Sequence, residues 1–321
     1  MKKWIYLLVV VLGAAFITWI ALPDNTTVSE ITLINPTGPA VIPVVGIEKG
    51  EVTTENYTPV NVQYWKNSDE AVALLASQQA DFAVLPITTA ANIYSQGVNI
   101  TLLGVHEWKV FYLLARDGIE FDDWTSLAGK RVYTPNGRGQ TADVLIRSGL
   151  SGAGLDPDSD VQILYAPPQE VVALFKAGKS DFVALPEPFA SLCLAGGNCS
   201  IVLDFQEYWG EVSGMQDRIP IAGLFVTDSF LKGQPKKTAE IANLLDRSTN
   251  WANENVDKAL ELSAGILTIP APIMKTALSR IDFHFVATDE CQEEVHFYLT
   301  KMKELYPEGI SEIPDKEFYA K

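Results

Sequence analysis

The sequence predicts an α/β protein of two duplicated lobes facing each other across a cleft, with a C-terminal helical tail and an N-terminal membrane helix. Three observations predict it. Residues 70–86 (EAVALLASQQADFAVLP) return as residues 170–186 (EVVALFKAGKSDFVALP), with identical residues one hundred positions apart at Glu70/Glu170, Val72/Val172, Ala73/Ala173, Leu74/Leu174, Asp81/Asp181, Phe82/Phe182, Leu85/Leu185 and Pro86/Pro186. The copy extends upstream, because residues 31–38 (ITLINPTG) and 130–137 (KRVYTPNG) both close on Pro-x-Gly, and Val62-Gln63 answers Val161-Gln162. Strand-like and helix-like runs alternate through both copies, which implies parallel sheets with right-handed crossovers. A long period present only twice marks a duplicated lobe, since a solenoid needs several short repeats.

Taken in order, residues 1–23 read as a transmembrane anchor or signal segment, 30–108 as the first part of lobe 1, 109–218 as lobe 2, and 219–321 as a return to lobe 1 plus the helical tail. After Met1-Lys2-Lys3, residues 4–22 carry no charge. As a helix they span about 28 Å, close to the ~30 Å bilayer core. Lysines on the N-terminal side place the rest of the chain outside the cytoplasm. The end of the run (TWIALP) is a poor match to a small-residue cleavage site, so an uncleaved anchor is preferred to a cleaved signal. In lobe 1, 31–35, 60–64 and 81–85 read as strands. Residues 40–47 read as a helix that carries Pro43 in its first turn, where proline is tolerated. Ser68 and Asp69 are N-cap candidates for the helix over 70–77. Residues 88–96 form a short helix, followed by strands at 100–105 and 110–115. Lobe 2 repeats the plan, with a helix from about Thr141 to residue 148. Residues 201–205 close it, and 219–226 return to lobe 1. From 234 onward the pattern turns helical, over 237–253, 256–266, 273–281 and 293–306.

Composition bounds the function. The 321 residues include 47% hydrophobic and 20% charged, which is ordinary for a globular chain. A net charge of -16 repels phosphate backbones and argues against a nucleic-acid partner. It does not exclude a small anion, because free N–H groups at helix starts hold anions whatever the net charge. Cys193 and Cys199 bracket Leu-Ala-Gly-Gly-Asn, so either a disulfide spans that turn or both thiols stay reduced and partly buried. Cys291 has no evident partner, and no Cys/His spacing resembles a zinc site. No cofactor is expected.

In a parallel α/β sheet, ligands bind outside the carboxyl ends of the strands. The duplicated unit supplies four such ends: Thr37-Gly38, Thr88-Thr89, the turn from Asn136 through Gly137, Arg138, Gly139 and Gln140 to Thr141, and Glu187. Gly137 and Gly139 let the backbone approach a ligand closely. Thr141 and the helix start behind it suit a carboxylate, sulfonate or phosphate, with Arg138 adding a charge-assisted bond. The alternative is a plain glycine-rich turn with an exposed arginine. Trp65 either stacks on an aromatic ligand or packs. Thr88 and Thr89 either line the pocket or cap the next helix. Glu187 either pairs with a ligand amine or forms a hinge salt bridge. None of His106, His284 and His296 falls in these loops, and neither a nucleophile elbow nor a Walker loop is present, so catalysis is not expected.

The segments 127–132 (LAGKRV), 160–168 (DVQILYAPP) and 178–183 (GKSDFV), with the glycine-bearing turn between them, resemble the substrate-binding proteins of nitrate, sulfonate, taurine and thiamine-precursor ABC importers. The resemblance spans about residues 30–265. It implies the type II periplasmic-binding-protein fold, two crossover strands antiparallel to their neighbours, a small anionic or heteroaromatic ligand, and an ABC permease and ATPase as partners. The turn with Arg138 and Gln140 departs from the small-hydroxyl turn common in sulfonate binders. The expectation is a monomeric, membrane-anchored solute-binding protein on the extracytoplasmic face, or periplasmic or secreted if the segment is cleaved. Enzymes of the same fold, chorismate dehydratase-like or thiamine-pyrimidine synthase-like, and a membrane-tethered ligand sensor are the alternatives.

Overall fold

Short runs of β-branched and aromatic residues, four of them stopped by proline at Pro36, Pro86, Pro135 and Pro186, alternate with helices whose apolar stripes cover them. The structure, a computed structural model, describes residues 30–55, 58–135 and 137–321. The N-terminal segment and Asn136 lie outside the described residues. Among those described, no helix is long and apolar enough to cross a membrane.

The first lobe runs β1 (Ile31–Pro36), α1 (Val41–Glu48), β2 (Val60–Trp65), α2 (Ser68–Ala76), β3 (Phe82–Pro86), α3 (Ile87–Ser95) and β4 (Ile100–Lys109). The chain then crosses through β5 (Phe111–Arg116). The second lobe follows: β6 (Arg131–Pro135), α4 (Thr141–Gly152), β7 (Gln162–Ala166), α5 (Pro168–Lys176), β8 (Phe182–Pro186), α6 (Phe189–Leu194), β9 (Cys199–Asp204) and α7 (Phe205–Ser213). It returns through β10 (Ala222–Thr227) into α8 (Asp228–Gly233), α9 (Pro235–Glu254), α10 (Val256–Ser263), α11 (Ala271–Leu278), β11 (Asp282–Ala287) and α12 (Thr288–Leu305). The described strands form two sheets, ordered β11-β4-β10-β3-β1-β2 and β7-β6-β8-β5-β9.

The duplication survives in register. β1 pairs parallel with β3 at Leu33↔Phe82, and β6 with β8 at Val132↔Phe182. The crossover strands also correspond, because β5 runs antiparallel to β8 and β9 while β10 runs antiparallel to β3 and β4. The repeated Asp-Phe pair explains itself here. Phe82 and Phe182 are fully buried, worth about 1.5–3 kcal/mol each. Asp81 accepts the Thr32 N–H at 2.9 Å, and Asp181 pairs with Lys130 at 3.3 Å. Pro43 falls in the first turn of α1, where its missing N–H costs nothing.

Three expectations are corrected. The cap of α2 is Asn67, whose Oδ1 accepts the Glu70 N–H at 3.0 Å, rather than Ser68 or Asp69. The tail is not all helical: β11 adds an antiparallel edge strand to β4, burying Phe283 against α1 and α10. Alternation in DFHFVA is the period-two signal for it. The disulfide is not formed, and Cys193 and Cys199 are free thiols. Cys193 packs from the last turn of α6 into an apolar cluster with Val172 and Phe175, while Cys199 opens β9.

The tail touches both lobes. α9 packs on α1, where the Ser248 hydroxyl donates to the Pro43 carbonyl at 2.6 Å. α11 meets α6, and α12 lies against α3 of lobe 1 and α4 of lobe 2.

Candidate functional site

The carboxyl edges of the two sheets carry the candidate residues. In lobe 1, register places a row along that edge: Trp65 opposite Pro36, then Pro86 opposite Ala222, Ala222 opposite Glu107, and Glu107 opposite Phe283. The Thr37 N–H donates to the Trp65 carbonyl at 3.0 Å, which ties the first turn to the end of β2. Gly38 holds a φ of +127°, a conformation open to glycine, and the Val41 N–H closes the turn onto its carbonyl. Trp65 is 6% exposed, and its indole N–H meets no acceptor among the described residues. Thr88 and Thr89 are half-buried in the first turn of α3. Neither caps the helix.

The two lobes treat their helix starts differently. α3 has no acidic residue in the first turn and no side-chain cap, so its start keeps the positive end of the helix dipole, whereas at α1 the Val41 and Ile42 N–H groups go to the Gly38 and Pro39 carbonyls and Pro43 has none to give. In lobe 2 the chain supplies its own carboxylates. Asp143, fully buried, accepts the Gly139 N–H at 2.8 Å and is held by Arg147 at 2.9 Å and the Tyr165 hydroxyl at 2.7 Å. Glu187 accepts both the N–H and the hydroxyl of Ser191 at 2.9 Å and pairs with Arg280 at 3.5 Å. Burial pushes the Glu187 carboxyl up, opposed by its bonds to Ser191 and Arg280. Of the two readings for Glu187, the structure thus forms the salt bridge.

The tail covers the same edge of lobe 2. The Thr141 hydroxyl shares a 2.8 Å hydrogen bond with Tyr298 of α12. The Tyr306 ring sits over Gly139, where a Cβ would lie 2.2 Å from Cε1. Arg138 turns outward to Asp158 at 2.9 and 3.2 Å. Gly137 is half-buried and Gln140 exposed. Sequence reasoning missed Asp143, Tyr298, Tyr306 and Arg280, since nothing in local spacing joins residues 157 positions apart.

The crossovers tie the two edges together. Glu187 N–H donates to the Val110 carbonyl at 2.8 Å, Ile219 N–H to Trp108 at 2.9 Å, and Ile221 N–H to Glu107 at 2.9 Å. The Ile221 carbonyl in turn accepts the Ile87 N–H at the start of α3. Gln206 clamps the first crossover through Val110 N–H and both backbone groups of Phe111. Lys109 pairs with Asp204 and Glu207. The two crossover segments are therefore hydrogen-bonded to the strand ends they join.

Two α/β lobes joined by paired antiparallel crossovers define the architecture of bilobal solute-binding proteins. The chain belongs to the NMT1-like family, whose model matches residues 24–267. It is 23% identical over 265 residues to YtlA of Bacillus subtilis (strain 168), a protein whose naming as a binding protein is provisional; the match covers 80% of this chain and 77% of that one. An ABC transporter structure from Parabacteroides distasonis superposes with a TM-score of 0.77 at 23% identity, covering 91% of this chain and 99% of that one. The periplasmic aliphatic sulphonate-binding protein SsuA of Escherichia coli gives 0.75 at 15% identity, covering 91% and 92%. The periplasmic nitrate-binding protein NrtA of Synechocystis PCC 6803 gives 0.64 at 14%, covering 91% of each chain.

Proposed function

We propose that this chain is the extracytoplasmic solute-binding component of an ABC importer, capturing a small molecule between its lobes by hinge closure. One observation carries the reading: equivalent strand ends of two duplicated sheets are joined by two hydrogen-bonded crossovers, the geometry in which a ligand bridging both lobes favours the closed state. Family membership and structural relatives named as binding proteins support it over an enzyme of the same fold. The ligand sits on the uncapped start of α3, at Thr88 and Thr89, against the turn of Thr37 and Gly38, with Trp65 beside them. The lobe 2 turn around Gly137, Gly139 and Thr141 closes from the other side. A permease and ATPase read the closed state. The apolar segment over residues 4–22 tethers the protein at the extracytoplasmic face of the cell membrane.

The test is a thermal-shift screen of the full-length chain against small anions, sulfonates, pyrimidines and purines. A ligand that binds only the native state raises the melting temperature saturably. Thr88→Val with Thr89→Val then lowers the affinity, whereas Arg138→Ala leaves it unchanged because Asp158 already holds that side chain. No shift from any class, together with no small molecule released on denaturation, would remove the solute-binding reading.

A further inference from the structure

Glu107 is a buried carboxyl without a partner. It stands in β4, within the otherwise buried run ITLLGVHEWK, and is 8% exposed. No hydrogen bond or ion pair reaches its carboxylate among the described residues. The cations of the crossover region are committed elsewhere: Lys109 to Asp204 and Glu207, Arg218 to Glu294, and Arg280 to Glu187. His106 beside it is fully buried, with both ring nitrogens unpartnered and its ring stacked on Phe283. The duplication sharpens the contrast. Asp204 closes β9, the strand of lobe 2 that corresponds to β4, and it has both Lys109 and Gln206. A carboxyl held largely out of water with nothing opposite it is costly, and such groups collect at functional sites.

Its place in the fold says what it serves. Glu107 lies on the carboxyl edge of sheet one, opposite Ala222, whose methyl side chain offers it no polar partner. Its carbonyl accepts from Ile221, and the Ile221 carbonyl accepts from Ile87, the residue before Thr88. The bare carboxylate and the uncapped start of α3 therefore belong to one hydrogen-bonded strip. The strip offers N–H donors at one end and an unmatched anion at the other. Resting on the solute-binding reading above, we infer that Glu107 is a specificity-determining residue that takes a protonated or N–H-donating nitrogen of the solute. The solute is thus a small nitrogen compound, cationic or zwitterionic, and its anionic or acceptor group falls to the start of α3.

Two matched probe pairs test this by calorimetric titration of the full-length protein: 2-aminoethanesulfonate against ethanesulfonate, and 4-aminopyrimidine against pyrimidine. In the unmutated protein the amine-bearing member of at least one pair binds about tenfold or more tighter, the size expected of a charge-assisted hydrogen bond. Glu107→Gln keeps the shape and abolishes that preference, while its melting curve reports that it remains folded. Equal binding of both members, or a preference that survives in Glu107→Gln, overturns the assignment and leaves the solute-binding reading standing. Failure of all four probes to bind overturns the assignment too, and the wider thermal-shift screen then decides the solute-binding reading separately.

Discussion

Gly139 meets two demands at one position. Its φ of +85° is a region that L side chains avoid at a cost of about 1 kcal/mol or more, and the Tyr306 ring occupies the space where a Cβ would stand. Gly139→Ala is expected to lower stability by roughly 2–3 kcal/mol in denaturant unfolding, combining backbone strain with overpacking. Adding Tyr306→Ala should relieve only the steric part. Neighbouring His106 and Glu107 titrate in opposition. Burial pushes Glu107 up from 4.5 to about 7 and His106 down from 6.5 to about 4. For Glu107 the folded state binds the proton more tightly, so its stabilisation is full below pH 4.5 and is lost as pH rises to about 7. For His106 the unfolded state binds it more tightly, so its stabilisation is full above pH 6.5 and is lost as pH falls toward 4. Each amounts to about 3 kcal/mol across its window, and the two nearly cancel between pH 4.5 and 6.5. Glu107→Gln should therefore leave a protein that weakens on acidification relative to the unmutated chain, and His106→Phe one that strengthens. Parallel pH profiles for the unmutated protein and both variants would refute the opposition.

At the scale of elements, helix ends and the tail decide what the cleft can do. α2 begins on Asn67, whose side chain takes the Glu70 N–H while Glu70 Oε2 takes the Lys66 N–H at 2.9 Å. This reciprocal cap predicts a loss of about 1 kcal/mol for Asn67→Ala. The sequence signalled a cap within Asn67-Ser68-Asp69, but all three residues are good caps, and only the backbone decides which stands outside the first turn. α12 is a larger case. Its Val295, Leu299 and Met302 are buried in the main core, while Tyr298 reaches Thr141 and stacks edge-on with Trp209 at 5.7 Å. Tyr298→Phe keeps the ring contact and removes the hydroxyl, so a drop of about 1 kcal/mol is expected from the lost hydrogen bond. A drop several times larger would show that the bond also holds the lobes in their present relation.

For the whole molecule, the two lobes are equivalent in topology and unequal in electrostatics. Lobe 2 neutralises its helix starts with Asp143 and Glu187, whereas lobe 1 leaves the start of α3 without a carboxylate or a side-chain cap. Under the proposed function, lobe 1 holds an anionic or acceptor group and lobe 2 closes over it. Closure about the crossovers predicts a fall in radius of gyration in small-angle X-ray scattering when a thermal-shift hit is added. An unchanged scattering curve with saturating ligand would argue for a rigid site and against a permease sensing closure. Under the proposed function, the backbone bonds at Glu107, Trp108 and Val110 mark the expected pivot, since they join both lobes and resist sliding.

Much of this was legible in the chain itself. The hundred-residue repeat marked out both lobes, the succession of strands and helices in each, and the four edge turns, because burial of a parallel strand and the stop imposed by proline are local properties that recur with the sequence. The edge turns at Thr37, Thr88, Gly139 and Glu187 followed from that plan. Tertiary structure alone decided which of them remain available. Arg138 went to Asp158, Thr141 to Tyr298 and Glu187 to Arg280, while Glu107 was left without a partner. Pairings of this kind depend on where distant elements come to rest, and a carboxylate's environment is the sum of those placements; neither leaves a period or a spacing that a single sequence can show.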